Sequence, residues 1–559
     1  MWLRFQKSQL HCTYRLAIAA RRPIQNPPYK RCSMNYGMIA GVLLYELLVI
    51  GGIGYWLYRK GQGKEHAEGE FALGGRDLPT PVLAVTLALT VLGAAHILGV
   101  FEMAWGLGAA AVWFSIAHVI LLVLVCTTTG LWFRRLGLTT VPQVLQKFYS
   151  KELELVVSCV MAGVIFGILT LEAQGLGIVI AAMTKWSIQQ AAIVGSVIGI
   201  FYVVLAGMKE VGWINLINAV VLYIGVILAV VFVAASLPGK NYDSVAKYYE
   251  TPVKEEIKLA EGETAPAPGP NVEVGADGKS YNLVDQSFML SIFGTRGILM
   301  TFALGVTVAV VFSQGISQML LQPAMSAKSE ASIRKALWIA APVNGLFGVF
   351  VVVLGLTAKA HPDFGVAVGG DGKTAAMNML VGVLPGWLST LLLASFLAAI
   401  LSTFAMTSLA PATIFSMNIY KNLFRPDAND KEVANVTRVA IIFLSVVAMF
   451  IAASLPPILA AITWLFSWLI PVFWIVIFGF MWKRSTPAAF LTLASAWIVN
   501  SLWSFTSLPS MCGINEKPGD FNAYVTLAVT LIVGIASTAL MSGKEGYFRS
   551  DEYQARVSS

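Results

Sequence analysis

Long apolar runs separated by short polar turns dominate this chain. A helix needs about 20 mostly apolar residues to cross a hydrocarbon core about 30 Å thick, because each residue rises about 1.5 Å. Thirteen stretches reach that length: 37–58, 80–104, 107–133, 154–183, 188–207, 213–236, 288–316, 336–358, 383–408, 434–454, 457–482, 487–507 and 523–541. The pattern predicts an all-α polytopic membrane protein.

Two of these spans carry polar or small residues where an unbroken apolar helix has none. The second holds Gly93-Ala94-Ala95 and Gly99, and the seventh ends in Phe312-Ser313-Gln314-Gly315-Ile316-Ser317-Gln318. Irregular backbone at membrane depth is tolerated where it lines a cavity, and paired broken helices in inverted repeats build transport sites. Spans two and seven are expected to be such a pair, each opening a five-helix repeat. The resulting organisation is a peripheral helix at 37–58, a first repeat at 78–236, a second at 288–482, two further helices within 487–541 and a cytoplasmic tail at 542–559. The hydrophilic stretch 238–287, with Ala-Pro-Ala-Pro-Gly in it, is expected to be an external loop too polar to build a core of its own. A second external loop, 361–374, ends in Gly-Gly-Asp-Gly-Lys-Thr, but Ala367 occupies the first glycine position of a phosphate loop, so that motif fails.

Composition agrees with the pattern. The 559 residues are 57% hydrophobic and 12% charged, with mean hydropathy +0.73, against about 25% charged in soluble domains. A net charge of +8 raises nucleic acid as a partner, but seven of the 38 basic residues lie in the first 33 positions with no acid among them. The expected partner is the lipid bilayer, with no nucleic acid and no obligate protein partner. The basic segment 1–33 reads as a doubtful extension, with translation expected to begin at Met34 or Met38; an organelle transit peptide is the rival. Placing Arg59 and Lys60 inside puts Arg134, Arg135, Lys335, Arg438, Lys483 and Arg484 on the cytoplasmic side of the plasma (inner) membrane. That parity leaves the N-terminus outside and the C-terminus cytoplasmic. The five cysteines, Cys12, Cys32, Cys126, Cys159 and Cys512, have no metal-type spacing.

Ionisable side chains inside a bilayer cost several kcal/mol and are functional candidates by default. Glu46 and His118 read as satisfied groups between helices. His96 and Glu102 lie beside the small residues of the second span, and Glu172 with Gln174 can reach a central cavity or simply bond between helices. With Ser313, Gln314, Ser317 and Gln318 they form the candidate substrate set. Ala399-Ile400-Leu401-Ser402-Thr403 puts two adjacent hydroxyls one turn beyond a carbonyl. Sodium, a hard cation, takes such oxygens; on pattern alone, back-bonding to the preceding turn or bonding between membrane helices is the favoured account of them.

Four segments resemble the sodium:solute symporter family: Phe71-Ala72-Leu73-Gly74-Gly75-Arg76-Asp77-Leu78-Pro79; Gln322-Pro323-Ala324-Met325-Ser326-Ala327-Lys328-Ser329; Ala399 to Thr403, continuing through Ala412 to Lys421; and Gly479-Phe480-Met481-Trp482-Lys483-Arg484-Ser485-Thr486. The resemblance implies a 5+5 inverted-repeat core with broken core helices one and six, and sodium-coupled import of a small polar organic solute. It also implies a co-transported sodium ion held by the carbonyls of Leu89, Leu92 and Ala399 and the hydroxyls of Ser402 and Thr403. The chain departs from the family pattern at core helix five, where Asn215 and Asn218 replace an acid, and at Ala405 and Met406, where two-sodium members have serines. One sodium per cycle is therefore expected. His96 stands where sugar-carrying relatives have Gln, which counts against a sugar. Absence of Lys and Arg inside, Arg296 apart, leans toward a cationic or zwitterionic amine. A proton-coupled symporter using His96, Glu102 or Glu172 is the first alternative, and a membrane sensor with a symporter-like domain is the second. An enzyme is not expected, because no paired nucleophile and base appears.

Overall fold

The computed structural model describes residues 35–61, 70–205, 208–257, 271–274, 279–454, 458–513 and 522–558. The segment 1–33 with Cys12 and Cys32, and part of the 238–287 stretch, lie outside the described residues. Among the described residues, eleven helices are long and apolar enough to cross a membrane, and Thr80–Val91 and Ile188–Val204 are shorter apolar helices. The longest, Ala95–Leu136, turns at Gly108 (φ 70°, ψ −145°), so it ends one pass and starts the next. Joined to Thr80–Val91 it yields thirteen passes, as the apolar runs predict.

Helix α1 (Tyr36–Trp56) is peripheral: Leu43, Leu44, Leu47 and Leu48 face outward, and Met38 and Val42 are buried. The first repeat comprises the broken pass α2 (Thr80–Val91) and α3 (Val100–Leu107, entered through a wide turn at Ala95–Gly99), then α4 (Trp113–Leu124, continuing to Leu136). A short helix α5 (Pro142–Phe148) precedes α6 (Lys151–Met183), α7 (Ile188–Leu205) and α8 (Met208–Ser236). The second repeat opens with α9 (Arg296–Gln314) and α10 (Gln318–Met325) and continues with α11 (Glu330–Ala360), α12 (Gly386–Phe424), α13 (Asp430–Ala452), and the halves α14 (Ile458–Ser467) and α15 (Ile470–Met481). Two further helices, α16 (Thr486–Phe505) and α17 (Asn522–Leu540), complete the bundle. The 5+5 arrangement with interrupted core helices one and six is thus present.

Helix α12 is the centre: 89% of its most apolar window is buried, against 22% for α1 and 33% for α13 and α17, which face lipid. Small residues let the helices approach closely. A methyl at Gly175 would overlap Ala94, and one at Gly348 would overlap Ser115.

Several boundaries differ from the hydropathy reading. The seventh pass starts at Arg296 rather than 288 and runs on to Met325, because the Ser/Gln cluster at 313–318 is the middle of the pass and not its end. The ninth extends from 408 to Phe424, its later polar groups being satisfied internally: Thr413 donates to Leu409 O at 2.8 Å, and Thr437 donates to Ser416 Oγ at 2.7 Å. The 457–482 pass is interrupted between Ser467 and Ile470. The 238–287 stretch is not featureless. It carries a helix, Asp243–Glu250, and a three-stranded antiparallel sheet of Val253–Glu256, Ser280–Val284 and Val272–Val274, with Ser280–Val284 central. It borrows burial from the bundle instead of building its own core: Tyr249 is fully buried and donates to Leu356 O of α11 at 2.8 Å.

Candidate functional site

The first helix break follows from Leu92, whose backbone leaves the helix (φ −90°, ψ 50°), and Gly93, where a methyl would overlap the Glu172 carboxylate. The freed groups are taken up locally. Leu92 N–H turns back to Leu89 O at 3.2 Å, and Ala94 N–H donates to Glu172 Oε2 at 2.8 Å. In the second break, Ser317 is extended (φ −66°, ψ 134°). Gly315 there packs against Leu124 and Val311 O, leaving no room for a Cβ.

Helix α12 crosses the first break. Thr403 Oγ1 donates to Leu89 O at 3.0 Å and lies 3.3 Å from Ala399 O, so residues 314 positions apart in sequence meet at one point. Ser402 Oγ, its neighbour, is buried with no hydrogen-bond partner among the described residues. Leu89, Leu92 and Ala399 are fully buried. This set consists of neutral hydroxyls and carbonyls at a broken helix, one hydroxyl being an orphan. Such donors suit a dehydrated hard monovalent cation.

Beside this point lies a cavity of ≈ 20 Å³, room for about one water; a solute enters only by parting its walls. Its polar walls are Thr90, His118, Glu172, Gln314 and Thr403, and its apolar ones include Phe114, Ile168 and Phe466. Thr403 therefore belongs to both the cavity and the cluster around Leu89 O.

The other candidates separate clearly. Gln314 lines the cavity with Oε1 unpartnered, its Nε2 lying 3.4 Å from Ser313 Oγ. His96 does not line it: Nδ1 is 2.8 Å from Val91 O and must donate there, leaving Nε2 to accept from Ser115 Oγ at 3.0 Å. This histidine braces the end of α2, so its divergence from a family glutamine carries no argument about sugars. Glu102 sits in the first turn of α3, partly buried, outside the cavity wall. Both amide atoms of Gln174 and the Ser317 hydroxyl are buried without partners among the described residues and are not part of that wall. Gln318 is a clasp: its Oε1 accepts from Val141 N–H at 2.7 Å, and its Nε2 donates to Thr139 O at 3.2 Å.

Sequence reasoning undervalued two groups. His118 lines the cavity with Nδ1 donating to Phe114 O at 2.7 Å, and Nε2 has no partner among the described residues. Lys359 is buried and donates to Trp105 O at 2.8 Å, capping the C-terminal end of α3. A cation there complements the helix dipole. Its position one residue past an apolar run disguised it as a loop lysine.

The segments 71–79 and 322–329 close the Pro79 end of the bundle. Leu78 pairs with Ala327 as parallel strands do, with Leu78 N–H to Ser326 O at 3.1 Å and Lys328 N–H to Leu78 O at 3.2 Å. Gln322 Nε2 donates to Ala72 O at 2.8 Å, Arg134 Nε to Ala327 O at 2.8 Å, and Arg76 Nη2 to Gly137 O at 2.7 Å. Arg135 pairs with Glu330 at 2.7 Å. Gln322→Ala removes the bond that ties α10 to Ala72 O; within α10 it also ends the 3.2 Å bond from Gln318 Nε2 to Gln322 Oε1, while Gln318 Nε2 keeps Thr139 O. At about 1 kcal/mol net per bond, the closed end should open about five- to tenfold more often. The measurement is the labelling rate of a Leu78→Cys reporter by a thiol reagent with and without Gln322→Ala; equal rates would refute the latch.

Comparison with known proteins gives the same outline. The sodium/glucose cotransporter of Vibrio parahaemolyticus is 23% identical over 470 residues, 79% of this chain and 80% of that protein. The high-affinity choline transporter 1 of Drosophila melanogaster is 25% identical over 444 residues, 76% of this chain and 63% of that one. Among solved structures, a sodium-coupled sialic acid symporter in a substrate-bound outward-open state superposes with a TM-score of 0.70 at 15% identity, covering 91% of this chain and 98% of that one. The sodium:solute symporter family itself matches residues 71–494, and the chain belongs to that family.

Proposed function

We propose that this sodium-coupled solute importer carries one sodium ion per cycle, bound by the carbonyls of Leu89, Leu92 and Ala399 and the hydroxyls of Ser402 and Thr403. Its solute, a small polar organic molecule, sits against His118, Gln314 and Thr403. The observation that carries the reading is Thr403 Oγ1 meeting Leu89 O across the helix break, with the Ser402 hydroxyl buried and unpartnered beside it. At the places where two-sodium members have an acid and serines, Asn215 and, on α12, Ala405 and Met406 offer no carboxylate or hydroxyl to a second cation.

Coupling follows from sharing. Sodium ordering the break fixes Thr403, and Thr403 also forms part of the solute wall, so each ligand raises the other's affinity by the same factor. The Pro79 end is read as cytoplasmic from Arg134, Arg135, Lys335, Arg438, Lys483 and Arg484. That orientation leaves the N-terminus outside and the C-terminus inside, in the plasma (inner) membrane. Opening of the Trp105 end admits sodium and solute from outside; closure there and release of the Leu78–Ala327 pairing delivers both inward. The membrane potential adds about 2.3 kcal/mol per charge per 100 mV.

The test is counterflow of a panel of amines, amino acids, sugars and carboxylates in proteoliposomes. Uptake that follows sodium hyperbolically, with one sodium moved per solute, is the expected result. Uptake that survives sodium removal and collapses with a protonophore at fixed potential would replace it with proton coupling.

A further inference from the structure

We infer that Glu172 on α6 is the counter-charge and brace of the sodium site, a role resting on the ligand set proposed above. Those ligands are all neutral oxygens, so the ion's charge must be balanced from elsewhere in a region that excludes water. Glu172 is a carboxylate aimed at that place. Its Oε2 accepts the N–H of Ala94 at 2.8 Å, and its two oxygens occupy the volume that a Gly93 side chain would fill. Residues 93 and 94 directly follow Leu92, where the helix breaks and where the proposed ligand carbonyl lies. One carboxylate thus holds the peptide N–H that follows Gly93 and puts a negative charge beside the backbone just after the proposed ligand carbonyl.

The surroundings supply little else to neutralise it. Glu172 is 1% exposed, and neither lysine nor arginine is among the residues around the cavity it lines. Its positive partner within the protein is the N-terminal end of the helix half leading into α3, which carries roughly half a unit charge. A buried carboxylate with so partial a partner is poised to gain most from a cation nearby. Lys359 holds the opposite end of the same half-helix through Trp105 O, so α3 is pinned by an acid at its start and a base at its finish. The break is held open from both sides before the ion arrives.

The experiment measures equilibrium binding of radioactive sodium alone to the purified full chain, with potassium at matched ionic strength as the blank, so no solute is needed. Glu172→Gln keeps a carbonyl oxygen to accept from Ala94 and removes the charge. Its half-saturating sodium should rise tenfold or more, while melting in potassium stays as in the parent. Glu172→Asp keeps the charge but draws it back by one methylene and should weaken sodium about threefold. An unchanged half-saturation in Glu172→Gln overturns the inference. Should that variant not fold, an unchanged value in Glu172→Asp does the same. Ser402→Ala run alongside separates the two ideas: weakened by Ser402→Ala and untouched by the Glu172 variants, sodium binding keeps its ligands and loses this counter-charge. If all three variants bind sodium as the parent does, the ligand assignment fails as well.

Discussion

Ser402→Ala combined with Thr403→Val should raise the sodium needed for half-maximal uptake by about a hundredfold or more. Valine reproduces the shape of threonine, and the site is buried, so the change is one of ligand chemistry and not of packing. Two of five oxygens disappear, and bonds to a charged group contribute about 1.5–3 kcal/mol each; a hundredfold corresponds to about 2.7 kcal/mol. Valine also leaves Leu89 O without the donor that now reaches it at 3.0 Å. The single Ser402→Ala change separates function from stability by sign. Its hydroxyl is buried and unpartnered, so removing it should leave melting in potassium unchanged or higher while sodium binding falls. Sodium dependence in the double variant matching the parent would exclude the ligand assignment.

The fold was legible because a bilayer imposes a length on every helix, and thirteen runs of that length survive in the bundle as thirteen passes. What hydropathy misplaced were ends and interruptions. The Ser313–Gln318 cluster reads as the edge of a run, yet it lies mid-pass, since polar groups can remain at depth when a neighbouring helix covers them. Beyond Ser408 the same logic hides sixteen further residues of α12, because Thr413, Ser416 and Asn418 find partners that a one-dimensional profile does not contain. The meeting of Leu89 with Thr403 came from family likeness; spacing along one helix says nothing about which other helix it faces. His96 and His118 illustrate the limit most directly. They are 4.6 Å apart, ring to ring; each bonds a backbone carbonyl through Nδ1, and His96 has the Ser115 hydroxyl at Nε2 as well. That difference makes one a brace and the other a wall of the cavity, and it is a property of tertiary packing.

Gly108→Ala should be the most damaging single-methyl change at the Trp105 end, and Gly106→Ala, two residues earlier, one of the mildest. Gly108 adopts φ 70°, ψ −145° where α3 ends, a conformation essentially reserved for glycine and costing other residues about 1–3 kcal/mol. Its added methyl would also overlap the backbone of Met289, and overpacking of that kind adds about 1–3 kcal/mol. Gly106 is exposed inside the helix with nothing near its missing Cβ, so alanine there should gain about 0.5–1 kcal/mol by restricting the unfolded chain. Thermal unfolding of the two variants in the same detergent should therefore fall on opposite sides of the parent, separated by roughly 3–6 kcal/mol. The consequence reaches transport, because Met289 must move to admit the methyl and its Sδ is 3.5 Å from Lys359 Nζ, the group that holds Trp105 O. Loosening that contact frees the far end of α3, so Gly108→Ala protein that still folds should bind sodium more weakly than its melting temperature alone accounts for. Matching melting temperatures for the two alanine variants would mean that the turn between the first two core passes is not held where Gly108 puts it.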